Sequence, residues 1–220
     1  MANLVSDILS SVGARANLDT ALPTGTELGT QVSFVEQAQL DWENYTNWRI
    51  LKGTDTPTVL LSMTSIGLNT RFKKLLSPVY DYSTGLDSPT EYKEIPAEDR
   101  FRKLSTDKYV YAGGNDITGK YLVINPALAS GASITFDWKS TASSLATTSD
   151  AITCPSKKFM IERTTFYVLE ARSDQRFPIV ESRSNTLLEN LLEEEQTPSG
   201  GEDNRVPDWA RKNNFRIGQD

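Results

Sequence analysis

The residue types that enzyme chemistry needs are sparse in this chain. It contains no histidine, which excludes Ser-His-Asp and Cys-His catalysis and removes the commonest protein ligand for metals. The one cysteine, Cys154, precedes Pro155 at a predicted helix start, where the pKa of a thiol can be lowered. No base partner accompanies it, so a small buried or capping residue is the favoured interpretation.

A second candidate is the segment at residues 114–120, GNDITGK, which is close to a phosphate-binding P-loop. The next residue is Tyr121, whereas a P-loop has Ser or Thr there to reach magnesium. The segment also joins two predicted strands, whereas a P-loop opens a helix. A hairpin turn is therefore favoured over a nucleotide site.

Acidic residues cluster at residues 81–99, which contain six acids and one base, Lys93. The stretch lacks the D-x-[DN]-x-[DN]-G spacing of a calcium-binding loop. A solvated or channel-facing acidic surface is favoured instead. The sequence thus predicts no catalytic residue, no cofactor and no metal, and we expect a protein that is not an enzyme.

Three aromatic residues, Trp42, Tyr45 and Trp48, could form a stacking platform for a base or a sugar. They recur at helical spacing within an apolar stripe, which is typical of a helix that packs into a core. A place in the core is the favoured interpretation.

Composition limits the class of protein. With 220 residues, 38% of them hydrophobic, the chain can build a real core. The net charge of -6 disfavours a grip on nucleic acid. One cysteine cannot form an intrachain disulfide, and the N-terminus lacks the basic start of a signal peptide. No apolar run reaches the length of a bilayer crossing, so we expect a chain made in the cytoplasm, with no membrane partner.

Periodicity places the elements. Apolar residues at helical spacing predict four helices, at residues 2–13, 27–51, 156–173 and 178–196. Between the second and third helices the period changes to two, which predicts an antiparallel β insertion at residues 57–140. The expected fold class is α+β: a four-helix bundle-like body with an inserted antiparallel β-sheet and an extended C-terminal tail.

Residues 107–140 predict a three-strand meander at the centre of that insertion, with turns near residues 113–116 and 130–131. Ile134, Phe136 and Trp138 alternate with polar residues, so they should share one face that packs against a helix. Pro78 should make its strand an edge or a bend. Pro96 can start a helical turn through AEDRFRKL.

The last helix is expected to end in Glu193, Glu194 and Glu195, which oppose the helix dipole. Either the helix continues or cations from elsewhere cover that end. A linker-like stretch follows, and residues 205–217 then carry four bases against one acid, a net charge of +3. We predict that residues 197–220 form a docking tail whose partner-binding residues are Arg205, Trp209, Arg211, Lys212, Phe215, Arg216 and Ile217.

Two stretches of this chain resemble the head-to-tail adaptor (connector) proteins of tailed bacteriophages. They are YVYAGGNDITGKYLVINPALASGASITFDWKST and AITCPSKKFMIERTTFYVLEARSD. The family pattern is two helices, a β insertion with a core like kLLINPAPasGatitF.Y.s, and two more helices; residues 121–126, 130–131 and 134–138 match that core. The similarity spans residues 1–195, so residues 1–196 would be the adaptor body. The long tail after Gln196 departs from shorter members, although some adaptors carry extensions that dock on the portal.

The resemblance implies a structural virion protein at the head-tail junction. It implies a ring under the portal, matching its twelvefold symmetry, that extends the DNA channel and links the capsid vertex to the tail. The implied partners are the portal ring, neighbouring adaptor subunits and a downstream tail or nozzle protein. Genomic DNA would pass through the channel without specific binding, since an acidic lining repels phosphates.

Two rival hypotheses stay open. One is a carbohydrate- or peptide-binding module that uses exposed aromatic residues and acts as a monomer. The other is an enzyme that works with carboxylates alone, such as a glycosidase, with two acids about 5–9.5 Å apart in a cleft.

Overall fold

The computed structural model of the protein describes residues 3–17, 22, 24–57, 59, 63–83, 85, 87–115 and 117–196. The helices in this part are α1 (Val5–Arg15), α2 (Gly25–Tyr45), α3 (Lys157–Ala171) and α4 (Phe177–Gln196), with short 3-10 helices at Arg49–Leu51 and Ala97–Arg102. The strands are β1 (Lys52–Asp55), β2 (Met63–Gly67), β3 (Phe72–Leu75), β4 (Val79–Asp81), β5 (Thr90–Glu94), β6 (Tyr109–Asn115), β7 (Gly119–Leu128) and β8 (Ile134–Ser140). None of the helices described is long and apolar enough to span a membrane.

The helices pack around α3, which contacts α1, α2 and α4. Much of the circumference of α3 is buried, including Phe159, Met160 and Phe166, because neighbours cover it on several sides. Ser156 caps its first turn, accepting a hydrogen bond from the N–H of Phe159 at 3.2 Å. α3 therefore begins after Ser156, close to the predicted start.

α2 ends at Tyr45, six residues before the predicted end at residue 51. The next residue, Thr46, is extended, with φ -153° and ψ -178°. Trp48 folds back and stacks on Trp42 with 5.3 Å between ring centroids, and its indole N–H donates to the carbonyl of Trp42. Both tryptophans are buried, so they belong to the core, whereas Tyr45 is 45% exposed.

The expected four-helix bundle-like body with an inserted antiparallel sheet is wrong, although the chain is α+β. The strands form one curled, half-barrel sheet in the order β1-β8-β4-β5-β6-β7-β2, with β3 also on β8. The sheet is mixed, because β5 and β6 run parallel, and residues 95–108 supply the long crossover that a parallel pair needs. Curling lets the sheet enclose an apolar core separate from that of the helices.

A long-range pairing also corrects the predicted meander. β6 and β7 form a hairpin, but in the described sheet β7 and β8 are not neighbours. β1 instead pairs antiparallel with β8, and β2 pairs antiparallel with β7. Val59 links the two pairings, since its N–H donates to the carbonyl of Ala132 at 2.9 Å and its carbonyl accepts from Gly131. The turn predicted at residues 130–131 is present, with Gly131 at φ +85° and the N–H of Ala132 donating to the carbonyl of Ala129 at 3.2 Å, but the strands that it joins do not pair with each other.

The predicted bend at Pro78 is confirmed, because it separates β3 from β4. Across the gap, the N–H of Asp137 on β8 donates to the hydroxyl of Ser77 at 2.9 Å, and its carbonyl accepts from Leu76 at 2.8 Å. These bonds replace the regular ladder where the proline lacks a donor.

Ile134, Phe136 and Trp138 share a buried face, as predicted. They belong to the core of the sheet rather than to the helical core, so the expectation that this face packs against a helix is wrong. The sheet curls over its own apolar side chains, and α2 contacts this region elsewhere, at Lys139 on β8 and at Ala142 just after it.

A buried polar joint connects the helices to the sheet. The ammonium of Lys139, only 3% exposed, donates to the carbonyls of Glu43 and Thr46 at 2.6 Å each, at the C-terminus of α2. The carboxylate of Glu43 accepts from the ammonium of Lys73 and from the N–H of Ala142 at 2.7 Å. Burial lowers the pKa of Lys139, and the nearby lysines of β3 add to that effect.

Candidate interaction surfaces

The predicted partner-binding residues lie outside the described part of the chain. They are Arg205, Trp209, Arg211, Lys212, Phe215, Arg216 and Ile217. α4 ends at Gln196, where the segment that contains them begins. Their role in binding stays a prediction from the sequence.

The 3-10 helix at Ala97–Arg102 exposes apolar side chains on the sheet body. Phe101 is 80% exposed and the following Leu104 is 70% exposed. The guanidinium carbon of Arg100 lies 4.5 Å from the ring centroid of Phe101 and 5.4 Å from that of Tyr111 on β6, as in cation–π contacts. We define the Phe101 surface as Arg100, Phe101, Lys103, Leu104 and Lys108.

Hydrogen bonds to the backbone hold the Phe101 surface in place. The carboxylate of Asp107 accepts from the N–H of Leu104 at 3.0 Å. The backbone N–H of Asp107 donates to the carbonyl of Leu104 at 3.1 Å. The side-chain amide of Asn125 on β7 donates to the carbonyls of Ser105 and Asp107 at 3.1 and 2.8 Å. A surface ordered in this way loses little conformational entropy when a partner binds.

The sequence predicted the helical turn after Pro96 but not this surface. The signal that could have found it is RFRKL at residues 100–104, where apolar and cationic residues interleave. The same pattern occurs at residues 205–217. Exposure of adjacent large apolar side chains is typical of a protein interface.

The end of α4 carries a second surface, on the helical body. The backbone N–H of Arg49 donates to the carboxylate of Glu195, which lies 3.3 Å from Nε of Arg49. Nη2 of Arg49 donates to the carbonyl of Glu194 at 3.3 Å. Of the two outcomes expected for the three glutamates, the structure shows a cation from elsewhere, which opposes the unfavourable dipole interaction.

Ile50 follows Arg49 in the chain and is 61% exposed. Glu193 and Glu194 are exposed as well, and Glu195 is partly buried against Arg49. We define the Ile50 surface as Arg49, Ile50, Glu193, Glu194 and Glu195. It combines an apolar side chain with negative charge, whereas the Phe101 surface combines apolar side chains with positive charge.

Residues 114–120 include the turn of the β6–β7 hairpin, as predicted. Gly114 has φ +82°, and a Cβ there would lie 2.0 Å from the carbonyl oxygen of Gly119. The ammonium of Lys120 donates to the carbonyls of Thr70 and Phe72 at 3.2 and 2.8 Å. The lysine of the P-loop-like segment therefore anchors the hairpin to the start of β3.

Cys154 is 1% exposed, and burial raises the pKa of its thiol to about 12. A thiol with that pKa is almost entirely protonated near neutral pH and is a poor nucleophile. The position agrees with the small buried residue favoured from the sequence.

The acidic stretch does not act as one surface. Asp81 is buried and accepts from the N–H of Ser83 at 2.9 Å, whereas Asp87, Glu91, Glu94 and Glu98 are exposed. Among the described residues no group of three or more Cys, Asp or Glu side chains could hold a metal ion.

A basic cleft of about 410 Å³ lies between α1, α3 and α4, and its lining includes Arg15, Glu162, Arg176 and Arg183. Arg15 is paired with Glu162. Nη2 of Arg176 lies 2.7 Å from Oδ2 of Asp174. The carboxylates therefore offset much of the positive charge of this cleft.

Comparison with known proteins adds no family assignment. No protein-family model matches the sequence. A search of curated proteins also finds no match.

Proposed function

We propose that this chain is a head-to-tail adaptor of a tailed bacteriophage. In this role it is a structural virion protein, without catalytic activity, that forms a ring under the portal, extends the DNA channel and links the capsid vertex to the tail. The observation that carries the proposal is the pair of exposed surfaces described above. The Phe101 surface is on the sheet body, the Ile50 surface is on the helical body, and their charges are opposite.

Ring formation requires such a pair of surfaces. A subunit in a ring meets its two neighbours through different faces, because a head-to-tail contact joins one patch to another. Exposed apolar side chains next to charge are what a subunit needs for contacts that form during assembly. The resemblance in residues 121–126 and 134–138 supplies the class of assembly.

The partners in this proposal are the portal ring, neighbouring adaptor subunits and a downstream tail or nozzle protein. Residues 205–217, with a net charge of +3, would dock on the portal. Genomic DNA would pass the body without specific binding, since the chain has a net charge of -6. The mature location would be the head-tail junction of the virion, after synthesis in the host cytoplasm.

Negative-stain electron microscopy of the purified chain mixed with a portal ring tests this proposal. We expect a ring of added density on one face of the portal, with the same symmetry as the portal. Portal alone, imaged at the same concentration, is the control. Portal rings that stay unchanged in excess chain would contradict the proposal and would favour the carbohydrate- or peptide-binding alternative, in which the exposed Phe101 binds a ligand.

A further inference from the structure

We infer that the Phe101 surface of one copy of this chain docks on the Ile50 surface of a second copy. The inference deepens the proposed ring by naming its subunit contact, and it rests on that function only for closure of the ring. Every residue of the two surfaces lies in the described part of the chain.

Both surfaces expose large apolar side chains. Phe101 and Leu104 are 80% and 70% exposed, and Ile50 is 61% exposed. Each lies on a short, hydrogen-bonded segment that holds its backbone in place. Aromatic side chains presented on ordered backbone are typical centres of protein interfaces.

The charges of the two surfaces favour a second copy of this chain as the binding partner. In the described part of the chain Lys103 and Lys108 form no ion pair with an acid. Residues 189–196 hold four glutamates and no base, and Glu189 and Glu194 are exposed. Residues 97–108 around Phe101 hold four bases and three acids. A small net positive charge on one surface would therefore meet an excess of acids on the other, and complementary charge steers encounter and fixes register.

The topology keeps the two surfaces on separate bodies. The Phe101 surface is attached to β6 and β7 of the half-barrel, and the Ile50 surface is attached to α4. Two different patches that bind each other make a head-to-tail contact, which closes into a ring if the rotation allows. A symmetric dimer would instead bring both patches of each copy into one interface, so that the two contacts form together.

Zero-length crosslinking tests the contact without a portal. A carbodiimide joins carboxylates to amines that are in contact, so an equal mixture of 14N- and 15N-labelled full-length chain is treated and digested for mass spectrometry. We expect mixed-isotope crosslinks from Lys103 or Lys108 to Glu193 or Glu194. Absence of these links at the highest soluble concentration, or links from Lys212 of the tail to the same glutamates in their place, would overturn the inference.

The matched variants are Phe101→Asp and Ile117→Asp. Phe101→Asp leaves both lysines in place and puts an acid opposite the glutamates, so the yield of mixed-isotope links should fall about tenfold or more, since like charges across an interface cost several kcal/mol. Ile117 is 95% exposed at the β6–β7 turn, outside either surface, and its replacement should leave the yield unchanged. An unchanged yield in Phe101→Asp would overturn the inference.

The two proposals can fail separately. Mixed-isotope links together with no binding to the portal would retain the contact and reject the adaptor role. Portal-bound rings that lack these links would retain the adaptor role and reject this contact.

Discussion

Glu43 shows how single residues connect the two bodies of this protein. Its carboxylate accepts from the ammonium of Lys73 on β3 and from the N–H of Ala142 after β8, and its carbonyl accepts from Lys139. A buried carboxylate is tolerated when charged and neutral donors satisfy it. One residue of α2 thus fixes the helix against two strands of the sheet.

Phe136 is 1% exposed within the core of the sheet. Phe136→Ala should lower the free energy of unfolding by about 3–5 kcal/mol, because it leaves a cavity in a packed core. Urea denaturation followed by circular dichroism measures the change. The control Phe101→Ala, at a side chain 80% exposed, should change stability by about 0.5 kcal/mol or less; equal midpoints for all three proteins would contradict the assignment of this core.

Cys154 gives a chemical test of burial. Because burial raises the pKa of its thiol to about 12, the folded protein should react very slowly with iodoacetamide near neutral pH, and the urea-unfolded protein should react quickly. Mass spectrometry of timed samples measures both rates. Rapid modification of the folded chain would show an accessible thiolate and would contradict the structure.

At the scale of elements, α2 illustrates how a helix end is set by tertiary partners. Trp48 stacks back on Trp42, and the ammonium of Lys139 binds the carbonyls of Glu43 and Thr46. A cation at this position satisfies terminal carbonyls and interacts favourably with the helix dipole.

Lys139→Met should cost about 1–3 kcal/mol of unfolding free energy, because it removes the ammonium that donates to the carbonyls of Glu43 and Thr46. The pKa of Lys139 is lowered from 10.5, so over the pH range just below that value the unfolded chain binds more protons than the folded one. Stability of the wild type relative to Lys139→Met should therefore rise as the pH approaches 10.5.

Urea titrations of both proteins across that range measure the effect. Lys52→Met is the control, since Lys52 pairs with Lys139 across the sheet but is exposed; this variant should show little change in stability. A stability difference between wild type and Lys139→Met that does not vary with pH would contradict the lowered pKa.

At the scale of the whole molecule, the chain consists of a helical body and a half-barrel, each with its own core. The residues that form these two cores all precede residues 205–217 in the sequence. The composition of that segment, with Trp209 among four cations, is typical of a binding segment.

Deleting residues 205–220 should leave the urea midpoint unchanged and weaken binding to the portal. Trp209→Ala alone should cost about 2 kcal/mol or more of binding free energy if the tryptophan is a hot spot. Surface plasmon resonance on immobilised portal rings measures both, with Asn214→Ala as the control in the same segment. Full affinity in the truncated chain would contradict the docking role of the tail.

The isolated chain should sediment mainly as a monomer, with rings forming on the portal template. We expect this because charged contacts with only a few apolar side chains are weak until several neighbours act together. Analytical ultracentrifugation at several concentrations measures it. Stable rings of the chain by itself would contradict this prediction.

The sequence by itself determined the elements whose apolar faces repeat locally. α3 and α4 follow from the 3.6-residue period, β8 follows from the alternation of Ile134, Phe136 and Trp138, and the break at Pro78 follows from its missing donor. The Gly114 turn was equally readable, because few residues tolerate its backbone conformation. These properties depend on residues within a few positions of one another.

Tertiary structure decided which edges pair and what covers each face. The period of β7 and β8 shows which side chains share a face, but it does not reveal that β1 pairs with β8 and β2 with β7. The parallel β5–β6 pair and the contact of Arg49 with Glu195 likewise join separate parts of the sequence. The early end of α2 at Tyr45 depends on packing, because Trp48 stacks back on Trp42. The Phe101 surface became visible only in the fold, because exposure is a property of what the rest of the chain leaves uncovered.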